Sequence, residues 1–278
     1  FSGDLGQYDS PILRDPASPT RADRVIMEST YGDRAHRDRA ASLEEMGQVF
    51  RDAWEAGGNV LIPAFAVGRS QEVLYHLGKH FSEWGIDRWH IFLDSPLGIE
   101  ASEIYWDYEN LFDEEARRIF REDVVMPKLP NLHFTRSTEE SLVINRLQSG
   151  AIIIAGSGMC NGGRILHHFR HNIERRETHI LFTGYQPPGT LGRRIIDGAQ
   201  TIRIYKEEFR VKAQTHTIGG MSAHGDQADL VRWYEGIAGR PPVHLVHGDP
   251  DAAEALARRL GGSGADVSVA TSGRVIPL

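Results

Sequence analysis

Residues 59–79 read "NVLIPAFAVGRSQEVLYHLGK", and this stretch decides the fold class. "NVLIPAF" (59–65) is a short apolar run with no polar alternation, as expected of a strand buried on both faces. "AVGR" breaks it. From residue 69 the apolar positions Val73, Leu74, Leu77 and Phe81 recur at helical spacing, which predicts a helix over 69–84. A buried strand, a Gly turn and a helix form the repeating unit of a parallel α/β sheet.

The same alternation extends both ways. Strands are expected at "RVIME" (24–28), "HIFLD" (90–94), "AIIIAG" (151–156) and "HILFTGY" (179–185). Helices are expected over 38–56, 98–108, 113–121, 138–147, 163–174 and 190–197. After Gly198 the texture changes. "TIRIYKEEFRVKAQTHTI" (201–218) reads as a hairpin or meander. A helix (226–236), a strand "VHLVHG" (243–248), a helix (250–260) and terminal strands (266–277) follow. The opening "FSGDLG" reads as strand, tight turn, strand. This pattern predicts an α/β domain over 31–204 inserted into a second domain made of 1–30 and 205–278. A start at Phe1 in what reads as a turn, without Met, leads us to expect the C-terminal part of a longer protein.

Composition narrows the function. An apolar content of 40% and a charged content of 25% suit a globular chain with a full core. No run approaches the roughly 18 apolar residues of a membrane helix. The single cysteine, Cys160, rules out an internal disulfide framework and a Cys-rich zinc site. A reducing, cytoplasmic setting is the simpler expectation. Any metal site must use His, Asp and Glu. The net charge of −7 argues weakly against nucleic acid. Residues 161–213, however, carry ten Lys and Arg against five acids, with His167, His168, His171 and His179 among them. That is either a solvated face or a basic surface.

In parallel sheets ligands gather at the carboxyl ends of strands. Glu28 ends one strand, before Ser29, Thr30 and Tyr31, and Asp94 and Ser95 end another. "GSGMCNGGR" (156–164) joins a strand to a helix. Its backbone N–H groups at Ser157, Gly158 and Asn161, with Arg164, could hold a phosphate. It could equally be a tight turn, as could "GYQPPGTLGRR" (184–194). Arg69 is a phosphate contact or the partner of Glu72. His224 of "SAHGD" and His247 of "LVHGD" sit in polar breaks, where a lone His is more often structural. Asp4 is a turn Asp unless these residues converge.

Eight motifs, "FSGD", "ESTYG", "IPAFAVGRSQE", "LDSP", "SGMCNGGR", "GYQPPGTLG", "SAHGD" and "LVHGD", occur in the order seen in RNA-processing metallo-β-lactamase proteins with a β-CASP domain. The chain resembles that family over nearly its whole length. The resemblance implies a partial αββα metallo-β-lactamase domain with an α/β β-CASP domain inserted. It further implies a zinc-dependent ribonuclease acting on single-stranded RNA in the cleft between the domains. Asp4 resembles the carboxylate that bridges two zinc ions, and His247 a zinc ligand of the RNA-acting branch. Glu28 resembles the family's motif acid. His224 resembles the histidine facing the scissile phosphate, with Ser222 nearby. A homodimer is compatible with this reading. The family's zinc site also uses an "HxHxDH" motif and a further His upstream of "FSGD", and neither is present here. This chain alone is therefore expected to lack activity. The alternative is an inactive RNA-binding relative acting as a scaffold. A small-molecule metallo-hydrolase would not need the inserted domain.

Overall fold

The computed structural model describes residues 1–122, 129–273 and 275. They form two compact units, one of residues 1–36 and 222–278 and the other of residues 37–221.

The second unit is a six-stranded parallel sheet, covered on both faces by helices. Its elements in chain order are α1 (Arg39–Glu55), β2 (Val60–Pro63), α2 (Arg69–Lys79), β3 (His90–Asp94), α3 (Pro96–Asp107), α4 (Glu114–Glu122), β4 (Leu132–Phe134), α5 (Thr138–Ile144), β5 (Ala151–Ala155), α6 (Ile165–Asn172), β6 (His179–Phe182), α7 (Leu191–Ile196), β7 (Thr201–Ile204), β8 (Glu207–Arg210) and β9 (Gln214–Thr217). The strand order is β4-β3-β5-β2-β6-β9. Side chains alternate across a strand, so β5 feeds two cores. Ile152 and Ile154 pack with Met46, Phe50 and Leu74 from α1 and α2. Ile153 packs with Leu61, Ile165 and Phe169 on the other face. Burial on both sides is why β2 and β5 lack any polar alternation.

The local signals explain the ends. Asp38 caps α1 by accepting from the N–H of Ala41. Gly57 and Gly58 end it, and Gly58 is required sterically. A Cβ there would lie 1.6 Å from the carbonyl oxygen of Glu177.

Two expectations need adjustment, and one element was not foreseen. Of the two readings of residues 201–218, the structure has the hairpin and not the meander. β7 and β8 form an antiparallel hairpin whose tip residues, Tyr205 and Lys206, have φ of 48° and 76°, as a tight two-residue turn requires. β9 then leaves the hairpin and pairs in parallel with β6, His216 opposite Leu181. The division between the compact units falls after His36 and after Met221. Second, "FSGDLG" contains no strand. Ser2 donates its N–H to the carbonyl of Ile26 and Leu5 to the carboxylate of Glu28 without a ladder. Third, β4 is an edge strand that three weakly patterned residues did not announce.

The other unit holds a parallel sheet of β1 (Val25–Glu28), β10 (Val243–Val246) and β11 (Val267–Val269), in that order. Helices α8 (Gln227–Glu235) and α9 (Pro250–Gly262) belong with it. Met27, Leu230, Leu245, Leu256 and Leu260 make its core. One terminal strand, β11, is present. The rest of the segment expected as strand to residue 277 lies partly outside the described residues. No described helix is long and apolar enough to cross a membrane.

Candidate metal centre

Pairing fixes the first part of the site. β1 and β10 run in parallel with Glu28 opposite Val246, so the loops following both strands leave the same sheet edge. Glu28 ends β1, and His247 follows β10. His247 takes a left-handed backbone, φ 51°, a conformation that costs a branched or bulky residue energy and often marks a functional position. The next residue has to be glycine. A Cβ at Gly248 would lie 2.5 Å from the carbonyl oxygen of Ser29. Thr30 steadies the turn by donating its hydroxyl to the carbonyl of His247 at 3.0 Å.

His224 comes from the turn before α8. Its own N–H is held by the Ser222 hydroxyl at 3.1 Å, and its carbonyl accepts from Nε2 of His36 at 2.9 Å. Asp226 then caps α8, accepting from Ala228 and Asp229, and its other oxygen accepts from the N–H of His36. The Nδ1–H of His224 donates to both carboxylate oxygens of Glu28, 3.0 Å each. With Nδ1 taken by Glu28, Nε2 is the ring nitrogen left for chemistry.

Electrostatics follow from these bonds. Glu28 is fully buried, and burial alone would raise its carboxyl. The hydrogen bonds from His224 and Thr30, the charge of His224 and the N–H of Leu5 outweigh that and hold it below the usual carboxylate value. In return, the hydrogen bond to Glu28 pushes the His224 imidazole up, against the effect of burial, with help from the charges of Glu28 and Asp4. Removing the Glu28 charge reverses the largest of these causes. Glu28→Gln should lower the pKa of His224, read from its imidazole NMR titration. An unchanged or higher value would mean that the pair is not coupled.

One oxygen of Asp4 and one ring nitrogen each of His224 and His247 all lie within 4.8 Å of one another. Among the described residues this is the group of His, Cys, Asp and Glu able to surround a cation. The Asp4 carboxylate and Nδ1 of His247 are 3.4 Å apart, too long for a good hydrogen bond, and both side chains are exposed. A carboxylate and two imidazoles are the donor types that zinc takes, so the residues present fit a metal ion.

The remaining expected residues fall elsewhere. Ser222 lies in the same unit, but its hydroxyl caps the backbone of His224. Arg69, Ser157, Gly158, Asn161 and Arg164 lie in the sheet unit. Arg69 pairs with Glu72 on α2. Arg164 donates to Asp94 at 2.7 Å and to the carbonyls of Thr135 and Arg136 at 2.9 Å. Asn161 accepts the N–H of Leu191 at 3.2 Å. Arg69, Asn161 and Arg164 thus each have an internal partner, and for Arg164 it is Asp94, a buried charge that needs a cation. Gly163, with φ 76°, closes that loop, and a Cβ there would lie 2.3 Å from the carbonyl oxygen of Gly156. His36 was missed by sequence reasoning. It sits in the polar run "GDRAHRDR" with no periodicity to single it out.

Comparison with known proteins shows what the chain is similar to. Residues 70–195 match the Beta-Casp domain family, and residues 208–270 match the family described as a Zn-dependent metallo-hydrolase RNA specificity domain. The chain is similar to Ribonuclease TTHA0252 of Thermus thermophilus, with 38% identity across all of this chain and 63% of that protein. It is similar to Transcription termination factor FttA of Pyrococcus abyssi, with 33% identity over 94% of this chain and 42% of that protein. It is also similar to an RNase J-like protein of Methanocaldococcus jannaschii, with 30% identity over 90% of this chain and 58% of that protein. The chain thus spans less than two thirds of each of these relatives.

Proposed function

The chain belongs to the β-CASP family of metallo-β-lactamase RNA-processing proteins, and from that premise we propose that it carries part of the active site of a metal-dependent ribonuclease cleaving single-stranded RNA. The observation that carries this reading is the convergence of Asp4, His224 and His247, with Glu28 buried behind His224. Asp4 and His247 would hold the metal, for which zinc is the proposed identity. Two ions would need donors beyond these side chains. When bound, the metal supplies Lewis-acid stabilisation of the charge that develops on a phosphodiester during in-line attack.

The residues of this chain supply the rest. Glu28 holds Nδ1–H of His224, which fixes the imidazole's orientation and tautomer. The raised pKa keeps the ring protonated over more of the neutral range. Nε2–H can then give its proton to the leaving oxygen of the RNA. Glu28 stays ionised throughout, so the proton moves at Nε2 alone.

The grouping supports a second reading, in which His224 is a third ligand oriented by Glu28. An inactive scaffold is disfavoured because Asp4, Glu28, His224 and His247 are all present. The test is cleavage of a labelled single-stranded RNA by the protein carrying this chain. Cleavage should stop with a chelator and return with zinc. Tight RNA binding with no metal-dependent cleavage would support the scaffold instead.

A further inference from the structure

At the carboxyl edge of the six-stranded sheet, β3 runs through Ser95 into the first turn of α3, and its neighbours β5, β2 and β6 open into the loops 156–164, 64–68 and 183–190. Four large apolar side chains stand out from them: Phe65 and Tyr185, 46% and 43% exposed, and Val67 and Leu97, both 63%. They are not loose ends. The ring of Phe65 lies against Gly158, where a Cβ would sit 2.8 Å from ring carbon Cδ2. Gln186, next to Tyr185, donates to the carbonyl of Gly158 at 2.8 Å. Gln71 donates to the carbonyls of Ala66 and Gly98, tying the loop of Val67 to the first turn of α3, which carries Leu97. The two aromatic residues thus flank one glycine-rich loop and are held there by buried amides.

The charge of this edge is as unusual as its apolarity. These segments read AFAVG, SPLG, GSGMCNGGR and TGYQPPGT, with no Asp or Glu, in a chain that has 38 of them in 278 residues. The one charged side chain they carry is Arg164. Nothing on these segments repels a polyanion.

We propose that Phe65 and Tyr185 form a platform on which bases of single-stranded RNA stack. This rests on the ribonuclease reading and adds to it where the bases are held. Single strands offer the base faces that a duplex hides, and aromatic rings bind those faces with little regard to sequence. The absence of carboxylates lets the accompanying phosphates approach. An apolar protein partner would use the area of these side chains and not their rings, which separates the two by experiment.

The experiment measures binding of a short fluorescent single-stranded RNA to the native protein and to Phe65→Leu, Tyr185→Leu and Phe65→Trp, at several salt concentrations. Leucine keeps the apolar packing against Gly158 but removes the π face. Each leucine variant should bind roughly 5- to 150-fold more weakly, the worth of one stacked base, with an unchanged melting temperature. The salt slope should stay the same, because no phosphate contact is lost. Phe65→Trp should bind like the native protein. An abasic oligonucleotide should bind the native and leucine proteins alike. If the native protein binds RNA and the leucine variants bind equally well, the platform is wrong and the ribonuclease reading stands. If the native protein binds no single-stranded RNA, both fall together.

Discussion

Replacing His224 with alanine should cut RNA cleavage by roughly 10²–10⁴-fold, the usual worth of a positioned acid, while the protein stays folded. The size of the effect follows from where the side chain sits. Nδ1 is fixed by a buried carboxylate, and the backbone on either side is held by Ser222, His36 and Gln7. The turn therefore survives loss of the ring. His224 is not part of the core of Met27, Leu230 and Leu245, so no large cavity opens. What the variant loses is a proton donor, and what it leaves behind is Glu28 without its partner. Glu28 keeps the N–H groups of Leu5 and Thr30, which limits the damage to stability. A melting curve close to native, beside a rate lowered in that range, is the expected pair of results. A native rate would move the proton donor elsewhere.

The second large effect is on folding. Asp94→Asn should destabilise the sheet unit by about 3–5 kcal/mol, the cost of breaking a buried ion pair from one side. Asp94 is fully buried at the end of β3 and accepts four hydrogen bonds. Thr135 and Arg164 meet one oxygen at 2.6 and 2.7 Å, and Ser141 and His168 meet the other at 2.6 and 2.7 Å. These partners come from the end of β4, from α5, from the glycine-rich loop and from α6. One carboxylate joins four segments. Asparagine keeps the shape but cannot accept at both positions, and it removes the charge facing Arg164 and His168. For a unit of this size the melting temperature should fall by roughly 10 °C. A fall of under about 2 °C would show that water or a shifted side chain replaces the carboxylate.

The same residue sets an acid limit. Burial works to raise the Asp94 carboxyl, but the hydrogen bonds from His168, Ser141 and Thr135 prevail and bring it down from 3.8 to about 2. A carboxyl lowered in the fold stabilises fully above its ordinary value. That contribution fades as pH falls from about 3.8 through about 2, where the folded form also takes up its proton. Acid unfolding of the native protein should show this dependence over that interval, and Asp94→Asn should lack it.

Much of this was legible in the sequence, for specific reasons. The continuous apolar runs "VLIP" and "AIIIA" have no solvent face, so parallel strands under helices were the readable outcome. Capping residues and glycines marked α1 and its end. The convergence of Asp4, Glu28, His224 and His247 was legible only through the eight ordered motifs, because 243 residues separate the first from the last of them. What stayed hidden depended on partners. "QTHT" has no strand pattern strong enough to show that it pairs with β6 and not with its hairpin. The pairing of Arg164 with the buried charge of Asp94 could not be read, because the two lie 70 residues apart in sequence. His36 acts through a backbone carbonyl, which leaves no mark in composition.

The direct test of the account is metal content measured beside RNA cleavage, on the native protein carrying this chain and on its His247→Ala and His224→Ala variants. His247→Ala should lose metal and cleavage together, because it removes one of two proposed ligands. His224→Ala should lose cleavage and keep its metal. Loss of metal in both would make His224 a ligand. A His247→Ala protein with full metal and a native rate would contradict the metal centre itself.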